Sequence, residues 1–197
     1  MLEKIDRNYF FLLSLNVLEL EKLNLLLTYS GLKNGSLVRY SSKKIDFKGL
    51  HGRVRHYDLE HKILFLGKDD YWLEKLDNSF SKVIRLINID NALRNDYWLK
   101  EYKKSTYELG VSLGYPVSAV EYFTNEYHEA IVKGGIDIVS SARKRVESLG
   151  KPLSYFMPYV PSEKYFKLEV SLAKEWQNFI KKNYPEAYFK ILVDFIV

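Results

Sequence analysis

Seven cations, Lys33, Arg39, Lys43, Lys44, Lys48, Arg53 and Arg55, stand between Lys33 and His56 against the single acid Asp46. The stretch carries +6 in a chain whose total is +5, so the remainder is close to neutral. Tyr40, Phe47, His51, His56 and Tyr57 are interleaved with it. Cations that hold phosphates, beside rings on which bases stack, form the pattern of many single-strand and RNA binders. The candidate surface for RNA or another polyanion is therefore Lys33, Arg39, Lys43, Lys44, Lys48, Arg53, Arg55 and Tyr57. The competing reading is a solvated loop and an edge strand guarded by lysines against unwanted pairing.

Other chemistry is sparse. The chain has no cysteine, which excludes disulfides, thiolate metal sites and a catalytic thiol. His51, His56 and His61 are five residues apart, a spacing that alternates them between strand faces, and His128 stands alone. All four read as surface or hydrogen-bonded histidines, and neither a metal nor a cofactor is expected. Phosphate-loop, dinucleotide, nucleophile-elbow and HExxH motifs are absent. Asp69-Asp70 and Glu126/Glu129 could act as acid and base, although paired acids are common on solvated faces. Any enzyme would have to assemble its site by folding.

Two further stretches stand out: Leu113-Gly114-Tyr115-Pro116 leading into Val117–Phe123, and Phe156-Met157-Pro158-Tyr159-Val160-Pro161-Ser162. Together with Gly31-Leu32-Lys33 they resemble an archaeal family known as domain of unknown function 483, whose members carry LGYPxCCxxxF and, further along, a PC-type turn with another cysteine. Where the family has its paired cysteines this chain has Ser118 and Ala119, and where it has the later one, Tyr159. No thiol role can therefore carry over. The resemblance implies that the two words lie close in space, which makes Tyr115, Ser118, Tyr122, Tyr155 and Tyr159 a candidate ligand pocket. The plain alternative is two turns that lead into helices: Gly114 permits a tight turn, Pro116 starts a helix, and Tyr122 and Phe123 feed the core.

The elements that must position these groups read as α+β: a small antiparallel sheet in the front half and a helical back half. The length, 197 residues, suits one domain over 1–197, with a β-rich lobe at about 33–90 and a helical lobe at about 91–197. Leucines from Tyr9 to Thr28 predict one amphipathic helix stopped by Gly31. Leu37–Tyr40, Arg53–Tyr57 and Lys62–Leu66 predict a meander, with a helical piece at Tyr71–Leu76 and a fourth strand at Val83–Ile89. Asp90 or Asn91 is expected to cap a helix through Ser112, Gly134-Gly135 to close the next, Asp137 and Gly150 to bound another, and Ser162 to cap a long one. The apolar Tyr188–Val197 must be buried, in this domain or in a homodimer. The N-terminal run is too short and too charged to cross a membrane and lacks a cleavage site, so a cytoplasmic protein is expected. One glutamine, with abundant Lys, Ile and Tyr, suggests a hot habitat.

Overall fold

The structure, a computed structural model, describes residues 7–15, 17–40, 47, 50–56, 62–90, 93–127 and 136–193. Among the described residues there are eight α-helices and three strands, an α+β fold.

The strand β3 (Lys62–Gly67) buries Leu64, Phe65 and Leu66 almost completely. It takes the centre of the sheet, antiparallel to β1 (Gly35–Tyr40) on one side and β2 (His51–His56) on the other. The order β1-β3-β2 corrects the expected meander, which would have put β2 in the middle. The reason is burial: the sequence of β3 is apolar on both faces and must be covered on both, whereas β2 offers only Val54 and belongs at an edge.

Leu64 and Leu66 join Val38 and Tyr40 on one face, packed by α1 (Arg7–Ser14) and α2 (Glu19–Tyr29). Phe65, Ile63 and Leu37 take the other face, under α3 (Asp70–Ile87) and α4 (Asp96–Ser112). The single N-terminal helix expected from the leucines is thus two. The Ser14 hydroxyl donates to the Phe11 carbonyl (2.7 Å), and the Leu18 N–H donates to the Glu21 carboxylate (3.0 Å), which starts α2 afresh. Leucine spacing hides this break because Leu12 and Leu25 end in the same cluster.

The expected strand at Val83–Ile89 is instead the final part of α3. Leu73, Leu76, Phe80 and Val83 recur every three or four residues, and this helical period overrides the β-preference of Val83 and Ile84. Asp69 caps α3 by accepting from the Trp72 N–H (2.9 Å). Asn95, rather than Asp90 or Asn91, caps α4 through the Trp98 N–H (2.9 Å); Asn91 lies outside the described residues, as does Gly134-Gly135.

The back half continues through α5 (Val117–Tyr122), which runs on into a π-helical turn at Phe123–Tyr127, then α6 (Ile136–Glu147), α7 (Phe166–Asn183) and α8 (Pro185–Val193). Ser162 opens the turn before α7 by accepting from the Tyr165 N–H (3.3 Å), but Tyr165 holds the cap position. Ala173, Trp176 and Ile180 of α7 pack with Leu23, Leu26 and Leu27 of α2 and with Ala187 and Tyr188 of α8. Tyr188 is therefore core within this chain, while Phe189 is 63% exposed. No described helix is long and apolar enough to cross a membrane.

Two helices end alike. After α2, Gly31 and Leu32 donate to Thr28 and Leu27; after α4, Gly114 and Tyr115 donate to Val111 and Gly110. Both glycines have positive φ, +76° and +73°. They differ in surroundings: a side chain at Gly31 would meet open space, whereas a Cβ at Gly114 would lie 2.4 Å from the Asn34 nitrogen. Gly31→Ala is expected to cost about 1 kcal/mol of backbone strain. Gly114→Ala should cost about 3 kcal/mol because it also forces the two turns apart. Urea unfolding of both variants checks the difference.

Candidate ligand site

The two helix-ending turns dock on each other. The Asn34 side-chain amide donates to the Val111 carbonyl (3.1 Å), which brings Lys33 under Tyr115 with its Nζ 4.9 Å from the ring centroid. The Tyr115 ring in turn lies 5.5 Å from that of Tyr159. Gly31-Leu32-Lys33, Leu113-Gly114-Tyr115-Pro116 and Phe156–Ser162 thus meet at one place.

The Glu169 carboxylate joins the last two. In the first turn of α7 it is only 2% exposed. Its Oε1 accepts from the Ser118 hydroxyl (2.5 Å) and its Oε2 from the Ser162 backbone N–H (2.9 Å). The Tyr159 hydroxyl reaches the Glu169 carbonyl at 3.4 Å. Burial pushes the Glu169 carboxyl above its usual range; the two hydrogen bonds and the Arg145 guanidinium pull it back. Arg145, from α6, also faces the Tyr122 ring at 6.0 Å and reaches Glu163 at 3.5 Å.

Beside this junction lies a cleft of about 290 Å³ between α4, α5 and the Pro158–Val160 turn. Leu109, Leu113, Ala119, Val120, Phe123 and Val160 supply its apolar wall, with Tyr115 and Tyr159 also lining it. Close packing of α5 on α4 depends on Gly110, where a Cβ would meet the Val120 methyl at 2.8 Å. Burial raises both phenols, Tyr115 to about 12 and Tyr159 further with help from Glu169, so both keep their protons at neutral pH.

Of the five pocket residues expected from sequence, Tyr115 and Tyr159 line the cleft. Ser118 and Tyr122 instead border a separate polar groove with Glu121, Asn125 and Lys164. Tyr155 borders neither and packs against the helical core. Glu169, Arg145 and the aliphatic wall were not foreseen. Glu169 left a signal: it falls three residues after Phe166 and four before Ala173, on the apolar stripe of α7, where an unpaired acid would be costly.

The expected polyanion surface fares differently. Lys33 is corrected: it is 2% exposed, and its Nζ donates to the Asn24 Oδ1 at 2.8 Å, so it can meet no phosphate at the surface. It follows α2 in a turn tucked beneath Tyr115, which sequence charge counting cannot see. Arg53 and Arg55 are half-exposed and both pair with Asp77, while Arg39 is exposed on edge strand β1. Of the interleaved rings, Tyr40 is buried and Phe47 covers Gly52. His51 pairs with Asp70 at 2.7 Å. Lys43, Lys44, Lys48 and Tyr57 lie outside the described residues, as do His61 and His128.

Burial lowers the Lys33 pKa from its ordinary 10.5 to about 7. Between about pH 7 and 10.5 the unfolded chain therefore binds more protons than the folded one, and stability should rise with pH across that window. Below pH 7 the full cost of a buried ammonium remains. Lys33→Met should flatten this slope and raise the melting temperature at pH 7 by about 5 °C. Thermal melts from pH 6 to 10 on both proteins check this.

Compared with protein-family models, with curated proteins and with solved structures, the chain matches none.

Proposed function

We propose that this chain binds a small, largely apolar molecule in the cleft between α4, α5 and the Pro158–Val160 turn. One observation carries the reading: a concave surface of aliphatic and aromatic side chains, left uncovered, beside two phenols that remain protonated. Apolar surface in a cleft gains by exchanging water for a ligand of matching shape, and a few polar groups suffice to orient it. The Tyr159 hydroxyl is already directed at the Glu169 carbonyl, which leaves Tyr115 as the phenol to orient one polar atom of the ligand.

Binding is favoured over turnover. Ser118 and Glu169 form a hydroxyl–carboxylate pair, yet the second Glu169 oxygen is taken by Ser162, and the carboxylate is buried among the groups it holds. That arrangement suits a structural tie better than a general base, which needs a free lone pair within reach of substrate.

RNA binding along the whole of Lys33–Tyr57 is the weaker reading, because Lys33 and the Tyr40 ring are both buried and cannot belong to one continuous surface. A homodimer through Tyr188–Val197 would have to form without Tyr188, which is already covered, and around Phe189, which is exposed.

A neutral fluorescent probe, N-phenyl-1-naphthylamine, tests the proposal without help from surface charge. Saturable enhancement is expected with the wild type. Ala119→Leu, which fills the cleft from its wall, and Val160→Trp, which fills it from the turn, should each weaken the probe by about tenfold, a change of roughly 1.4 kcal/mol. Unchanged binding in both folded variants would remove the cleft from consideration.

A further inference from the structure

A second concave site lies where β2 meets α3, on the sheet face that α3 covers. Register sets Arg53 opposite Phe65 and Arg55 opposite Ile63, so both arginines project onto the face covered by α3. There they meet Asp77, which is 2% exposed and accepts from both guanidiniums through one oxygen, Oδ2. One carboxylate beneath two guanidiniums leaves a surplus positive charge. It also fixes both forks while their side chains stay 44% and 48% exposed. Arg55 makes a further long contact to the Ser81 hydroxyl (3.4 Å).

Beyond Arg55 opens a cleft of about 250 Å³. Its polar rim is Arg55, His56, Ser81 and Arg85, and its apolar floor includes Phe80 and Ile84. No carboxylate among the described residues lines it. Arg55 has N–H donors beyond the one it gives Asp77, the Ser81 hydroxyl stands beside it, and Arg85 adds a second guanidinium to the rim, which suits the three oxygens of a phosphate. The volume lies just under the usual range for ligand sites, enough for one phosphorylated ring.

We propose that this cleft binds a phosphate-bearing ligand with a flat apolar body, the chemistry of a single nucleotide, its phosphate on Arg55 and Arg85 and its ring against Phe80 and Ile84. Such a unit could be a free nucleotide or one residue of a single strand. The site is independent of the apolar cleft, since the two share no residue.

Calorimetric titration at low salt with phenyl phosphate, inorganic phosphate, benzyl alcohol, adenosine monophosphate and an octathymidylate lacking terminal phosphates tests it. Phenyl phosphate should bind saturably, more tightly than phosphate or benzyl alcohol, and more weakly as salt rises. Arg85→Ala, at an exposed position, should lose about tenfold in affinity with an unchanged melting temperature, as expected for one charge-assisted contact. Ser81→Leu, which narrows the cleft and leaves the net charge unchanged, should lose a similar factor. Binding of the mononucleotide alone identifies a free ligand; binding of the oligonucleotide as well identifies a strand. Absence of saturable binding by all the phosphate-bearing probes, or affinity untouched in both variants, would overturn the proposal.

Discussion

A buried carboxylate must be surrounded by donors, and Glu169 meets that demand by drawing three separate pieces of chain together. Ser118 comes from the start of α5, Ser162 from the turn after Phe156, and Glu169 itself from α7. Leaving such a group unpaired costs several kcal/mol, more than most single contacts supply, so each donor is held firmly in place. The position in the first turn of α7 adds the favourable end of the helix dipole. Because Tyr159 sits between Phe156 and Ser162, fixing that turn also fixes the ring that meets Tyr115. The shape of the apolar cleft thus follows from where Glu169 can be satisfied.

The same economy recurs at Asp77 and in reverse at Lys33. Asp77 gathers two arginines from β2 onto α3, which ties an otherwise poorly buried edge strand to the sheet. Lys33 has a neutral amide as its hydrogen-bond acceptor and an aromatic face nearby, too little to hold a full charge at neutral pH. Its place is set by the docking of two glycine-ended helices, with the ammonium carried along.

Much of the fold was legible because periodicity and helix ends are local. The helix ends at Gly31, Gly114 and Gly150 and the three strands could be located from glycines and apolar runs, and the α+β class follows from their distribution. Sheet order was not legible: it depends on which strand is covered on both faces, a property of packing rather than of Lys62–Gly67 alone. The extension of α3 through Val83 was readable in principle from the spacing of Leu73, Leu76, Phe80 and Val83. Tyr115 does meet Tyr159, but Ser118 and Tyr122 turn to the other side of α5, because a helix one and a half turns long gives neighbouring residues different neighbours. Charge counting misled most at Lys33, since composition carries no information on burial.

The most direct measurement is a carbon-13 methyl spectrum of the protein titrated with indole, a neutral flat molecule small enough for the cleft. Binding where proposed should move the methyl signals of Leu109, Leu113, Ala119, Val120 and Val160 together along one saturable curve, while those of Leu64 and Leu66 in the sheet stay put. Shifts that are absent, that never saturate, or that gather around other methyl groups would contradict the assignment of this cleft as the ligand site.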